Sequence, residues 1–69
     1  MDQETLARIK DGLAHSQHPQ LREVSVALTQ GGVVLTGTVR TYYMKQMAQE
    51  LARSVNGSEQ IVNKIDVTE

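Results

Sequence analysis

Two runs of alternating residues meet at a glycine pair in the middle of this chain, EVSVALTQ before it and GVVLTGTVR around and after it. Val24, Val26 and Leu28 alternate with Ser25, Ala27 and Thr29, a period of two that sends the larger apolar side chains to one face of a strand. Gly31 and Gly32 supply a tight reversal. Beyond them Val33, Leu35, Gly37 and Val39 share one face, and Val34, Thr36 and Thr38 take the other. The two runs predict a β-hairpin with one apolar face.

The flanking segments have the other periodicity. Leu6, Ile9 and Leu13 fall on one side of a helix from Asp2 to about Ala14, with Asp2 as its N-cap and Glu4 suited to the positive end of its dipole. Gly12 weakens the last turn by about 1 kcal/mol relative to alanine. HSQHPQ reads as a loop closed by Pro19, which biases His18 away from helical geometry. After the hairpin, Thr41 can cap a second helix running to about Val55, with Met44, Met47, Ala48, Leu51, Ala52 and Val55 as its apolar stripe. Asn56 and Gly57 end it. QIVNKIDVT then forms a third strand, with Ile61, Asn63, Ile65 and Val67 on one face.

The order helix, strand, strand, helix, strand defines an α+β domain covering residues 1–69. A right-handed crossover through the second helix makes the second and third strands parallel. The expected result is a mixed three-stranded sheet with both helices packed on one face. Periodicity leaves open whether the third strand lies beside the second or beside the first. Gly37 is in phase with Leu35 and Val39, so its missing side chain is expected to let a helix approach the sheet, with Ala48 and Ala52 as partners; a β-bulge is the other reading.

Size and charge narrow the function. A chain of 69 residues buries only about 60% of the surface its unfolded form exposes, which leaves little room for an enclosed active site. It has no cysteine, and seven Lys and Arg against eight Asp and Glu give a net charge of −1 with no block of either sign. That balance argues against a nucleic-acid partner, because phosphate-backbone affinity grows with clustered cations. No apolar run reaches the roughly 20 residues needed to span a bilayer, and MDQETLARIK lacks the profile of a secretory signal. The glycines fit neither a phosphate loop nor a dinucleotide fingerprint, and no nucleophile stands with a base. The expectation is a non-enzymatic chain without cofactor.

The segments HPQLREVSVALTQGGVVLTGTVR, AQELARSVNG and IVNKIDV together resemble the BON domain, a small bacterial module of periplasmic, osmotically induced and outer-membrane-associated proteins. Gly31, Val33, Leu35, Gly37 and Val39 fall in register with its strand motif, and the likeness continues through Ala48, Ala52, Val55, Gly57, Val62, Asn63 and Val67. Ser58 departs from it, standing where the family usually carries valine. The resemblance covers Leu6 to Val67. It implies a non-catalytic binding module, located in the periplasm or cell envelope, that contacts phospholipid surfaces or envelope proteins; it supplies no catalytic residue. A module for assembly through its sheet edge or methionine-bearing helix, as a monomer or weak homo-oligomer, is the alternative. Nucleic-acid reading of the KH type is the third, and it lacks the GXXG loop.

Within that frame Tyr42 and Tyr43, the only aromatic residues, are the first candidates for a partner or lipid surface. Each ring has an apolar body and a polar end, and adjacent helical positions point about 100° apart, so one of the two is expected to be exposed. Lys45, Gln49 and Arg53 recur at i+4 and are placed on the outer side of the second helix, available to anionic headgroups. Asn63 is expected to pair its amide with backbone groups near a strand end. His15 and His18 read as solvated loop residues rather than metal ligands, since two histidines without a fixed geometry make a weak site.

Overall fold

The structure is a computed structural model that describes residues 3–56 and 60–68. The proposed cap at Asp2, the helix-ending Gly57 and the divergent Ser58 lie outside the described residues. Helix α1 spans Gln3–Ala14, and a 3-10 turn, Pro19–Glu23, leads into the hairpin of β1 (Ser25–Thr29) and β2 (Gly32–Thr36). A short β3 (Thr38–Val39) continues β2, α2 spans Tyr42–Asn56, and the chain returns through β4 (Ile61–Asn63) and β5 (Asp66–Val67).

The expected architecture is present: a mixed three-stranded sheet with both helices on one face. Strand order is β1-β2-β4, which puts the third strand beside the second. β1 runs antiparallel to β2, with Val26 opposite Leu35, and β2 runs parallel to β4, with Val34 opposite Val62. β3 and β5 form a second parallel pair that extends the same ribbon. Helix α1 lies against β1 and α2, while α2 lies across β3, β4 and β5.

The core follows the two periodicities. Ile9 and Leu13 of α1 meet Val26, Val33, Leu35 and Val39 from the sheet, and Met44, Ala48 and Ala52 from α2, with Ile65 closing the far side. Fully burying a side chain of this size contributes about 1.5–3 kcal/mol, so a handful of positions carry much of the stability. Leu21 belongs to this cluster as well. It lies just past the expected loop HSQHPQ: Pro19 does not close that loop but opens the 3-10 turn, where its fixed φ and missing N–H are tolerated. The Leu21 N–H bonds to His18 O at 3.0 Å, and the turn that carries this buried side chain packs against α1, α2 and β3.

The glycines are placed differently from the expectation. The hairpin reverses at Gln30 and Gly31, and the positive φ of +120° falls on the next residue, Gly32, inside β2. A Cβ at Gly32 would overlap the carbonyl oxygen of Gln60, which accepts the Val33 N–H at 2.8 Å. A Cβ at Gly31 would make only an ordinary contact, 3.8 Å from Thr29 Oγ1. Gly32 is thus the position that lets the last strand begin beside β2.

Gly37 does not make room for a helix. Its φ is +134°, and a Cβ there would lie 3.3 Å from Glu23 O and Val24 Cα, the backbone that enters β1. It is not a bulge in the parallel ribbon either. Val33 faces Ile61 and Leu35 faces Asn63 before it; Thr38 faces Asp66 and Val39 faces Val67 after it, so the spacing between partners is unchanged. Hydrogen bonds continue across the break, from Lys64 N to Leu35 O and from Asp66 N to Gly37 O. The close approach to a helix belongs to Gly12, where a Cβ would come within 3.1 Å of Leu51 Cδ2, at the contact of α1 with α2.

Candidate functional site

The start of α2 is fixed from three directions. Thr41 Oγ1 accepts the Met44 N–H at 3.1 Å, satisfying one of the amides that a helix leaves free at its beginning. Met44 itself is buried, which sets the rotation of the first turn. Just upstream, Gln20 Oε1 accepts the Arg40 N–H, tying the loop before α2 to the 3-10 turn.

With Met44 turned inward, the two preceding positions point out. Tyr42 is 64% and Tyr43 63% exposed, so both rings are solvent-facing where only one was expected. They are the exposed large hydrophobic residues of the described chain. Arg40 is exposed immediately before the cap, Gln46 is exposed one turn further on, and the first turn of α2 contains no acidic residue. The positive end of the helix dipole adds to the same sign.

The i+4 series does not lie on one outer face. Lys45 and Gln49 are half-buried on the side of α2 that meets β4. Asn63 Nδ2 donates to the Lys45 carbonyl at 2.9 Å and to Gln49 Oε1 at 3.3 Å, while Asn63 Oδ1 accepts the Ile65 N–H at 3.1 Å. Asn63 therefore does what was expected of it, and Gln49 is committed to holding it. Arg53 is exposed, but eleven positions after Tyr42 it is about 16 Å along the helix, with exposed Glu50 between.

The structure thus gathers Tyr42, Tyr43, Arg40 and Gln46 at one tip and leaves Gln49 and Arg53 out. Arg40 and Gln46 were missed from the sequence, although Gln46 is signalled by its spacing of three and four from the tyrosines. A shallow depression of about 470 Å³, lined by Pro19, Gln20, Glu23 and Arg40 among others, flanks the tip.

The remaining candidates lie elsewhere. His15 Nδ1 is 3.1 Å from Asp11 Oδ1 and 2.9 Å from Asp11 O, on the exposed end of α1. His18 is half-buried before the 3-10 turn. Among the described residues no three His, Cys, Asp or Glu side chains form a group that could hold a metal ion, and no helix is long and apolar enough to cross a membrane.

No curated protein matches the chain significantly. The family model of the BON domain matches residues 2–69, from the start of α1 past the last strand. With the motif glycines, the αββαβ order and the parallel return strand all inside that match, the chain belongs to the BON domain family, a family of binding modules not known for catalysis.

Proposed function

We propose that this domain binds an anionic phospholipid surface of the cell envelope through the tip formed by Tyr42, Tyr43 and Arg40. The observation that carries the reading is the pair of exposed tyrosine rings on a rigidly capped helix end, with a cation beside them and no acid in that turn. Tyrosine suits a bilayer interface because its ring is buried among acyl and glycerol groups while its hydroxyl stays wet. Arg40 and the helix dipole favour an anionic headgroup over a zwitterionic one.

The chain as a whole carries a net charge of −1, so attraction from a distance is weak and the contact depends on the tip. Glu50 interrupts the exposed side of α2, which confines the contact to its first turn and a half. Cosedimentation with vesicles tests this. Phosphatidylglycerol vesicles should retain the domain and phosphatidylcholine vesicles should not, and Tyr42→Ser with Tyr43→Ser should abolish retention. Equal retention by both lipids, or retention that survives the double substitution, contradicts the proposal; retention by neither points to an envelope protein as the occupant of the tip.

A further inference from the structure

The sheet has two edges, and they are treated differently. On β2, the Val33 N–H bonds to Gln60 O and the Leu35 carbonyl to Lys64 N, so the polar groups of Val33 and Leu35 face β4. Strand neighbours alternate in direction, so Gly32, Val34 and Thr36 face β1, and their partners Thr29, Ala27 and Ser25 use their backbone groups inward. Val26 and Leu28, opposite Leu35 and Val33, consequently aim N–H and C=O at the outer edge of β1. Nothing among the described residues bonds to those groups.

The other edge is capped at one point. By the same alternation Ile65 points its N–H away from β2, and the Asn63 side chain covers it. The edge of β1 carries no such cap at Val26 or Leu28 among the described residues, and an unpaired edge of this kind is a place for strand addition.

Beside the open edge lies a groove of about 330 Å³ between α1 and β1, lined by Lys10, Leu13, Arg22, Val24, Ser25 and Val26. Arg22 is held there by its Nε–H bond to Ser16 O at 2.9 Å, and its terminal nitrogens have no partner among the described residues. Neither Lys10 nor Arg22 has a carboxylate partner among the described residues. The groove is therefore a strand edge flanked by two uncompensated cations.

We infer that β1 accepts an extended segment of a partner protein as an additional strand, with an acidic side chain of that segment held between Lys10 and Arg22. Main-chain bonds to Val26 and Leu28 supply the pairing, and the two cations supply the preference for an acid. A second copy of this chain is disfavoured as the occupant: β1 reads SVALT, so self-pairing would place no carboxylate between the cations.

The test uses a blocked five-residue peptide of alternating threonine and valine with a central glutamate, and its glutamine counterpart, titrated into the domain and followed by amide NMR. The glutamate peptide should shift the Val26 and Leu28 amides and protect them from hydrogen exchange, and the glutamine peptide should bind about tenfold more weakly. Lys10→Gln with Arg22→Gln, both at exposed positions, should remove that preference while circular dichroism stays unchanged. Tyr42→Ser with Tyr43→Ser should have no effect, which separates this edge from the lipid-binding tip. Absence of binding, equal binding of the two peptides, shifts centred elsewhere, or concentration-dependent shifts of Val26 and Leu28 without peptide would each overturn the inference.

Discussion

The side-chain amide of Asn63 reaches from β4 to the backbone carbonyl of Lys45 in α2, a 2.9 Å hydrogen bond that pins helix to strand. The same side chain accepts from Ile65 N–H, so one residue links α2, β4 and the turn into β5. Replacing it with alanine should cost about 1–3 kcal/mol, because a half-buried amide loses its partner. Aspartate should cost at least as much, since it keeps an acceptor for Ile65 but loses both donations. Chemical denaturation gives the energies, and faster exchange of the Ile65 amide in both variants locates the damage. Unchanged stability in the aspartate variant would contradict this role.

Gly31 and Gly32 are neighbours in sequence and opposites in consequence. Gly32→Ala should cost about 3 kcal/mol or more, through the positive φ and the overlap with the Gln60 carbonyl. Gly31→Ala should change stability by no more than about 0.5 kcal/mol, since its Cβ would meet only Thr29 Oγ1, at an unstrained 3.8 Å. A thermal melt of the two variants decides; equal effects would be inconsistent with this geometry.

Gly37→Ala should cost about 1–3 kcal/mol from its φ of +134° and the approach of Val24. Shrinking a helix residue cannot relieve that strain. A double-mutant cycle with Ala48→Gly should be additive within about 0.5 kcal/mol. A coupling well above that would mean that α2, rather than the backbone entering β1, limits the size of residue 37.

Loss of the Thr41 hydroxyl frees the Met44 amide. Thr41→Ala should cost about 1 kcal/mol, and Thr41→Ser should restore most of it. Comparing the midpoints of the two variants checks whether the tip that carries the tyrosines is held by this cap.

The elements that alternate cleanly were readable from the sequence because one side of each meets water. Val26 and Leu35 went inward and Ser25 and Thr36 outward as the period of two requires. Asn63 was readable because a polar residue in phase with Ile61 and Ile65 must find partners. What a glycine faces was not readable, since it depends on another segment: Gln60 for Gly32, Glu23 and Val24 for Gly37, and Leu51 for Gly12. The apolar stripe of α2 from Met44 to Val55 was readable and packs on the core, but how far burial spreads beside it was hidden for a related reason. Spacing places Lys45 and Gln49 on one stripe, but only the neighbouring β4 determines that this stripe is covered. The open edge of β1 depends on which backbone groups β4 already occupies, a relation between three strands that no single segment carries.

The account rests on the exposed tyrosine tip as the lipid-contacting surface, and amide NMR during titration with phosphatidylglycerol nanodiscs tests it most directly. Resonances from Arg40 to Gln46 should broaden and shift at low salt, while those of Ala27, Thr36 and Lys64 on the open sheet face stay in place. If the perturbations instead centre on the sheet or on α1, or if none appear, the tip is not the lipid site and the proposal is wrong.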